Sequence, residues 1–334
     1  MITAADDRSV RNWLIAAALA VVAAVLLTES GLSITVWEPV RGVLPPLDDA
    51  GWDKAYQQFL QIPQAHTVHS GITMAEFRTI FWWEWTHRLL ARVVGLVLVI
   101  PYLVLLARKA LRPEMRFRLA LLPVLTLAQG ALGWYMVSSG LSVRSSVSAY
   151  RLAAHLGLAL VIWMLCIWSI LDLTPTRDDH SVSRGLRRVV KGATVLAGIT
   201  LISGALVAGL DAGLVFNTFP NMGDGLVPPG YGAAMAEWRS IFENPIVAQF
   251  HHRVLAIGTA FVTIATAIAV LRGTDSAPLR RAMTVAAMLV VVQVGLGIAT
   301  LLMLVPIEIA VAHQFTGLML LGAMTWAARR SITN

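Results

Sequence analysis

Eight long apolar stretches divide the chain, near residues 12–28, 87–107, 117–139, 149–172, 189–210, 246–271, 282–304 and 307–328. Each is close to the ~20 residues that a helix needs to cross a hydrocarbon core about 30 Å thick. In lipid a backbone must satisfy its own polar groups, so runs of this length predict helices rather than a barrel. The connections alternate in a pattern that occurs twice. Residues 29–80 and 211–244 form long outer segments rich in Gly and Pro, whereas those near 140–148 and 305–306 are short. Two helix starts are written in the sequence: Thr73-x-x-Glu76 has the form of a capping box, and Asn244-Pro245 that of an N-cap followed by a first-turn proline. The helix that starts at Thr73 begins outside the bilayer, which places Phe81, Trp82, Trp83 and Trp85 where an interfacial aromatic belt is expected.

Composition agrees with this pattern and excludes an ordinary soluble domain. With 57% hydrophobic and 13% charged residues, and a mean hydropathy of +0.70, the chain has too little polar surface to coat such a core. The expected fold class is an all-α integral membrane protein, with eight transmembrane helices arranged as two tandem, pseudo-twofold-related four-helix bundles. Residues 1–175 would form the first half and 176–334 the second. Each copy has an even number of spans, so the repeats enter the membrane in the same direction.

The net charge of +7 is a topology signal. Seventeen of the 26 basic residues cluster at Arg8–Arg11, Arg108–Arg118, Arg177–Lys191, Arg272–Arg281 and Arg329–Arg330. This places both termini in the cytoplasm. The nearer partner for these short basic loops is anionic membrane lipid, and no nucleic acid is expected. An acidic amino terminus without transit-peptide character points to a bacterial inner membrane. The first run has no small-residue cleavage pattern and is expected to stay as a helix. The single cysteine, Cys166, falls inside the fourth run, as a buried thiol with no partner for a disulfide within the chain.

Four histidines occupy matching places in the two halves: His87 in Glu84-Trp-Thr-His-Arg88, His155 in Ala-Ala-His155, His252 in Gln249-Phe-His-His-Arg253 and His313 in Ala-Val-Ala-His313. The members of each pair lie 68 and 61 residues apart, and the first members are offset by 165. Near the outer ends of their helices, such imidazoles could bind one iron per half from both sides, with a porphyrin filling the apolar space between helices. Adjacent helical positions are about 100° apart, so His251 and His252 cannot both face the interior, and the His-Arg pairing selects His252. Hydrogen bonding between helices is the plainer role for a lone intramembrane histidine. The segments Gln129-Gly-Ala-Leu-Gly133 and Gln293-Val-Gly-Leu-Gly297 echo each other and support the duplication.

Three charged positions add to the picture. Arg88 and Arg253 follow their histidines, where a guanidinium could meet haem propionates as a fork or snorkel to headgroups. Arg92 lies a turn deeper and has Ile257 at its equivalent, so a function is the default for it. Glu84 shares a helical face with His87 and has Gln249 as its counterpart. The asymmetry predicts chemistry in the first half and a held cofactor in the second, unless Glu84 only pairs with Arg88 or Arg92. His66 and His69 in the first outer segment lack an evident third ligand and read as solvated residues.

The segment Thr28-Glu-Ser-Gly-Leu-Ser-Ile34-x-x-Trp37-x-Pro39-x-x-Gly42-x-x-Pro45-Pro46, with Glu84-x-x-His87-Arg88, Gln129-Gly-x-Leu-Gly133 and Gln249-Phe-x-His-Arg253, resembles the haem A synthases over about residues 28–325. The resemblance implies oxidation of the C8 methyl of haem O to the formyl group of haem A, through a hydroxymethyl stage, for terminal oxidases. It implies that His87 and His155 bracket the substrate haem O, that Glu84 is the essential acidic residue, and that His252 and His313 ligate a haem b cofactor. The partners it implies are haem O synthase, cytochrome oxidase assembly factors and an electron acceptor. Some members carry a cysteine pair in the first outer segment; this chain has none there, which rules out a thiol role for it. A dihaem b-type electron carrier without chemistry on the porphyrin is the competing class, and Glu84 against Gln249 argues against it. A transporter is disfavoured because the helices are not interrupted at mid-bilayer.

Overall fold

The computed structural model describes residues 3–26, 32–38, 40–141, 146–174, 176 and 180–332. Its helices run, in chain order, α1 (Ala4–Leu26), α2 (Asp49–Phe59), α3 (Pro63–Thr67), α4 (Met74–Ala107), α5 (Pro113–Val137), α6 (Ala149–Asp172), α7 (Arg184–Gly209), α8 (Tyr231–Ala234), α9 (Ser240–Glu243), α10 (Pro245–Gly273), α11 (Ala277–Leu302) and α12 (Ile307–Arg330). Eight of them are long and apolar enough to cross a membrane, as the hydropathy pattern predicts. Apolar side chains such as Leu96, Leu103, Val124, Leu127 and Phe261 stand exposed on these helices, which suits a lipid solvent and not water.

Local chemistry sets where the long helices begin. Thr73 accepts from the Glu76 amide while the Glu76 carboxylate accepts from the Thr73 amide at 2.8 Å, closing the expected capping box. At 34 residues α4 is about 51 Å long, so it extends well beyond the hydrocarbon core. Asn244 caps α10 by accepting from the Ile246 amide at 2.9 Å. In α1 the helix starts at Ala4, ahead of the apolar run, with Asp6 and Asp7 in its first turn where acidic side chains suit the helix dipole.

The chain divides into two compact units, Met1–Ile162 and Trp163–Asn334. In the first, α4 packs on α1 and on α5. The Trp13 indole donates to the Val97 carbonyl at 2.6 Å, and Arg112 forms an ion pair with Asp7. In the second, α10 lies against α7 and α11, and α12 lies against the same two helices, which closes a ring of four. Thr200 and Thr259 share a hydrogen bond of 2.6 Å between α7 and α10. Arg329 pairs with Asp172 in this unit. Cys166 is fully buried, as expected.

The first outer segment departs from the expectation of a simple connection. It contains α2, capped by Asp48 through the Gly51 amide at 2.8 Å, and α3, which opens on Pro63. Helices this short are not stable alone. They are held by an aromatic core in which Leu32, Trp52, Phe59, Ile62 and Ala65 meet Phe77 and Phe81 of α4 and Val137 of α5. This corrects the aromatic-belt expectation for Phe81, which is buried in the cap. Trp82 and Trp83 are exposed, as a belt requires, and Trp85 packs against the same cluster. The segment 211–244 carries α8, α9, a cis Phe219–Pro220 peptide and a bridge between Met222 and Gly225. Residues 28–31 and Pro39 of the first-segment motif lie outside the described residues, as do Arg177 and residue 175.

Candidate functional site

His155, His252 and His313 stand in the second turn of α6, α10 and α12; His87 stands in the fourth turn of α4, because that helix starts farther out. All four rings are half-buried. In the first unit His155 lies within electrostatic reach of His87, and in the second His252 lies within reach of His313. His251 turns elsewhere, its Nε2 2.9 Å from the Tyr231 hydroxyl.

The glycines of the neighbouring helices face these rings. A Cβ added at Gly133 of α5 would meet His155 Cε1 at 3.0 Å; one at Gly297 of α11 would meet His313 Cε1 at 2.9 Å, and one at Gly204 of α7 would meet His252 Cε1 at 3.2 Å. At 2.9 Å a Cβ would force the ring to shift, and at 3.0 and 3.2 Å the ring would have to give by a few tenths of an ångström. One helical turn before Gly133, the Gln129 amide nitrogen lies 3.0 Å from the His155 carbonyl and 3.2 Å from its Nε2. Gln293 repeats the second contact, 3.3 Å from His313 Nε2.

These contacts define the tautomer. The His155 carbonyl can only accept, so the group facing it is the glutamine NH2, whose other hydrogen points at a lone pair on Nε2. In the second unit the single hydroxyl proton of Ser203 goes to the Thr200 carbonyl at 2.7 Å, so Ser203 Oγ accepts from His252 Nδ1–H at 2.8 Å. His252 Nε2 is thereby left as the basic atom, the arrangement that a metal-bound imidazole needs.

Beside the histidines, a backbone strap is tied to α4. The buried Glu84 carboxylate accepts at Oε2 from the Ser33 hydroxyl at 2.7 Å and the Ile34 amide at 2.8 Å, and its Oε1 pairs with Arg88. Arg88 also donates to the Ile34 and Val36 carbonyls, and Arg92 to the Glu38 carbonyl at 2.9 Å. Arg92, to which the sequence assigns no partner, thus reaches a main-chain oxygen. Lys54, Arg88 and Arg92 line a cavity of about 230 Å³ under this strap.

The second unit repeats the device with a neutral residue. Gln249, also buried, donates to the Phe216 carbonyl at 3.0 Å, and Arg253 donates to the Phe216 and Thr218 carbonyls, each at 2.8 Å. Arg88 and Arg253, read from the sequence as propionate forks or as snorkelling charges, both hold outer-strap carbonyls. The structure also gathers residues that sequence reasoning passed over: Gln129, Gly133, Ser203, Gly204, Gln293 and Gly297. The signal was present in the repeated Gln-x-x-x-Gly, read as a mark of duplication and, in its first copy, of the family resemblance.

The donor set fits haem. His155 and His252 present Nε2 lone pairs, glycines face three of the four rings, and His155 Nδ1 and the Gln129 oxygen are buried without a hydrogen-bond partner. Among the described residues no group of three His, Cys, Asp or Glu side chains could hold a bare metal ion, and this includes His66 and His69 of the cap.

Residues 11–325 match the family described as cytochrome oxidase assembly protein, COX15-CtaA. The chain is 42% identical over 328 residues to the heme A synthase of Sinorhizobium medicae (strain WSM419), covering 96% of this chain and 89% of the relative. It is 43% identical over 337 residues to that of Bradyrhizobium sp. (strain ORS 278), with 97% and 92% covered. The heme A synthase of Chelativorans sp. (strain BNC1) is 42% identical over 342 residues, with 99% and 94% covered. The chain belongs to the COX15-CtaA family of cytochrome oxidase assembly proteins.

Proposed function

We propose that the chain oxidises the C8 methyl of haem O to the formyl group of haem A, in two steps through a hydroxymethyl stage. The observation that carries this reading is a difference between two similarly built sites, a buried carboxylate at Glu84 and a buried amide at Gln249. His87 and His155 would hold the substrate haem O, and His252 and His313 a haem b. When bound, a b-type haem supplies one-electron redox chemistry, and the protein supplies its binding, orientation and electrostatics. Ser203 and Gln293 are placed to orient the second pair.

Glu84 would act on the substrate side as a fixed negative charge beside the methyl. Three donors already use its lone pairs, leaving one on Oε1 that could face developing positive charge. Arg88 and Arg253, engaged with their straps, would meet propionates through the N–H donors that the straps leave over, among them Arg253 Nε–H.

The same reading makes residues 1–175 and 176–334 two parallel copies of one bundle in a bacterial inner membrane, with both termini cytoplasmic. Haem O synthase, oxidase assembly factors and an electron acceptor would be the partners. Reporter fusions at the carboxy terminus and within 211–244 should then report opposite sides of the membrane, and the same side for both would overturn the span order. Function is tested by extracting haems from cells that supply haem O with and without this chain. A product heavier by one oxygen and lighter by two hydrogens is expected only with it. The matched straps and histidine seats of the two units also suit a dihaem electron carrier, for which extraction would return haem b alone.

A further inference from the structure

Gln129 and Gly133 lie four residues apart on α5, and Gln293 and Gly297 four apart on α11, so in each helix amide and glycine share one face. The two copies arrive at the same contact independently. A glycine passes under the Cε1 edge of the imidazole at a distance where a Cβ would press on the ring, at 3.0 and 2.9 Å. A glutamine amide nitrogen then meets Nε2, at 3.2 and 3.3 Å. Both glutamine oxygens are buried without a partner, so each amide is placed for the contact it makes through nitrogen.

We infer that Gln129–Gly133 and Gln293–Gly297 are seats for the axial histidines, in which the glycine admits the ring and the glutamine amide holds the Nε2 lone pair until iron takes it. Gln129 and Gln293 are positioning residues, since they act through His155 and His313. This rests on the reading of the histidine pairs as haem ligands. The seat has two physical consequences. It keeps a polar nitrogen satisfied in an apolar interior before haem arrives. It also opposes ligation only weakly, because a neutral hydrogen bond shifts such an equilibrium by roughly two- to tenfold.

The second unit offers the cleaner test, because its haem would stay bound. Purified protein carrying haem b is mixed with excess apomyoglobin, and haem loss is followed together with the low-spin absorption bands. In Gln293→Glu, a carboxyl holds Nε2 more strongly than an amide in either protonation state, so haem should leave roughly tenfold faster or more. In Gln293→Leu the competing donor is gone, so haem should leave more slowly than from Gln293→Glu and the low-spin bands should outlast those of the glutamate variant. In Gly297→Ala the ring is pushed from its seat, and the spectrum should become high-spin, with His252 alone on the iron. A merely structural glutamine predicts the opposite order, because leucine removes all polar contact while glutamate keeps shape and polarity. Loss from the leucine variant as fast as or faster than from the glutamate variant would overturn the seat, as would three variants indistinguishable from the parent. A parent protein without low-spin haem would instead overturn the haem b assignment, and the seat with it.

Discussion

His313→Ala should abolish the low-spin haem b spectrum of the purified protein, and His252→Ala should do the same. A six-coordinate iron with two imidazoles is low-spin only while both axial nitrogens are present. Each ring sits in a prepared place: His252 by Ser203 and Gly204, His313 by Gln293 and Gly297. Alanine leaves the ring's place empty, so no neighbouring side chain can substitute; the adjacent His251 is engaged with Tyr231. Reduced-minus-oxidised spectra of both variants are the measurement, with His87→Ala as the companion. The companion should keep the haem b bands, because His87 belongs to the first unit. Full low-spin haem b in both His252→Ala and His313→Ala would remove the second pair from the haem site, whatever the activity.

The membrane spans were legible because twenty consecutive apolar residues have few other physical meanings, and the caps at Thr73 and Asn244 because side-chain acceptors at helix starts are encoded locally. The cap of the first unit was not. Trp52 and Phe59 mark one face of α2, but the helix is eleven residues long, and its burial depends on Phe77 and Phe81 from another element. Arg92 was singled out as a costly charge, yet its partner is the Glu38 carbonyl, and main-chain acceptors leave no trace in a sequence. Arg88 and Arg253 were legible as a repeated pair, but their shared use as strap clamps was hidden for the same reason. The histidines were legible by repetition, whereas the role of Gln-x-x-x-Gly required knowing which ring lies across from it.

Glu84→Gln converts the first site to the pattern of the second, and the structure shows why the variant should fold. At the equivalent position Gln249 is equally buried and bonds the strap through the Phe216 carbonyl, so a glutamine at 84 has the Ile34 carbonyl available in the same way. What the substitution deletes is the charge. If that charge serves the substrate methyl, the variant should retain haem b in the second unit but accumulate haem O or its hydroxymethyl form, with haem A formation slowed about 10²–10⁴-fold. The alternative is that Glu84 matters only as a tie for the strap, and Ser33→Ala separates the two. That variant removes a hydrogen bond to the same carboxylate oxygen, of net worth about 0.5–1.5 kcal/mol, while leaving the charge in place. A strap role predicts comparable losses in the two variants; a chemical role predicts a loss of roughly tenfold at most in Ser33→Ala and the large one in Glu84→Gln. Haem A at the parental rate from a folded Glu84→Gln protein would leave the carboxylate as a structural clasp, and the difference between the two units would then have to lie in the Lys54 and Arg92 cavity instead.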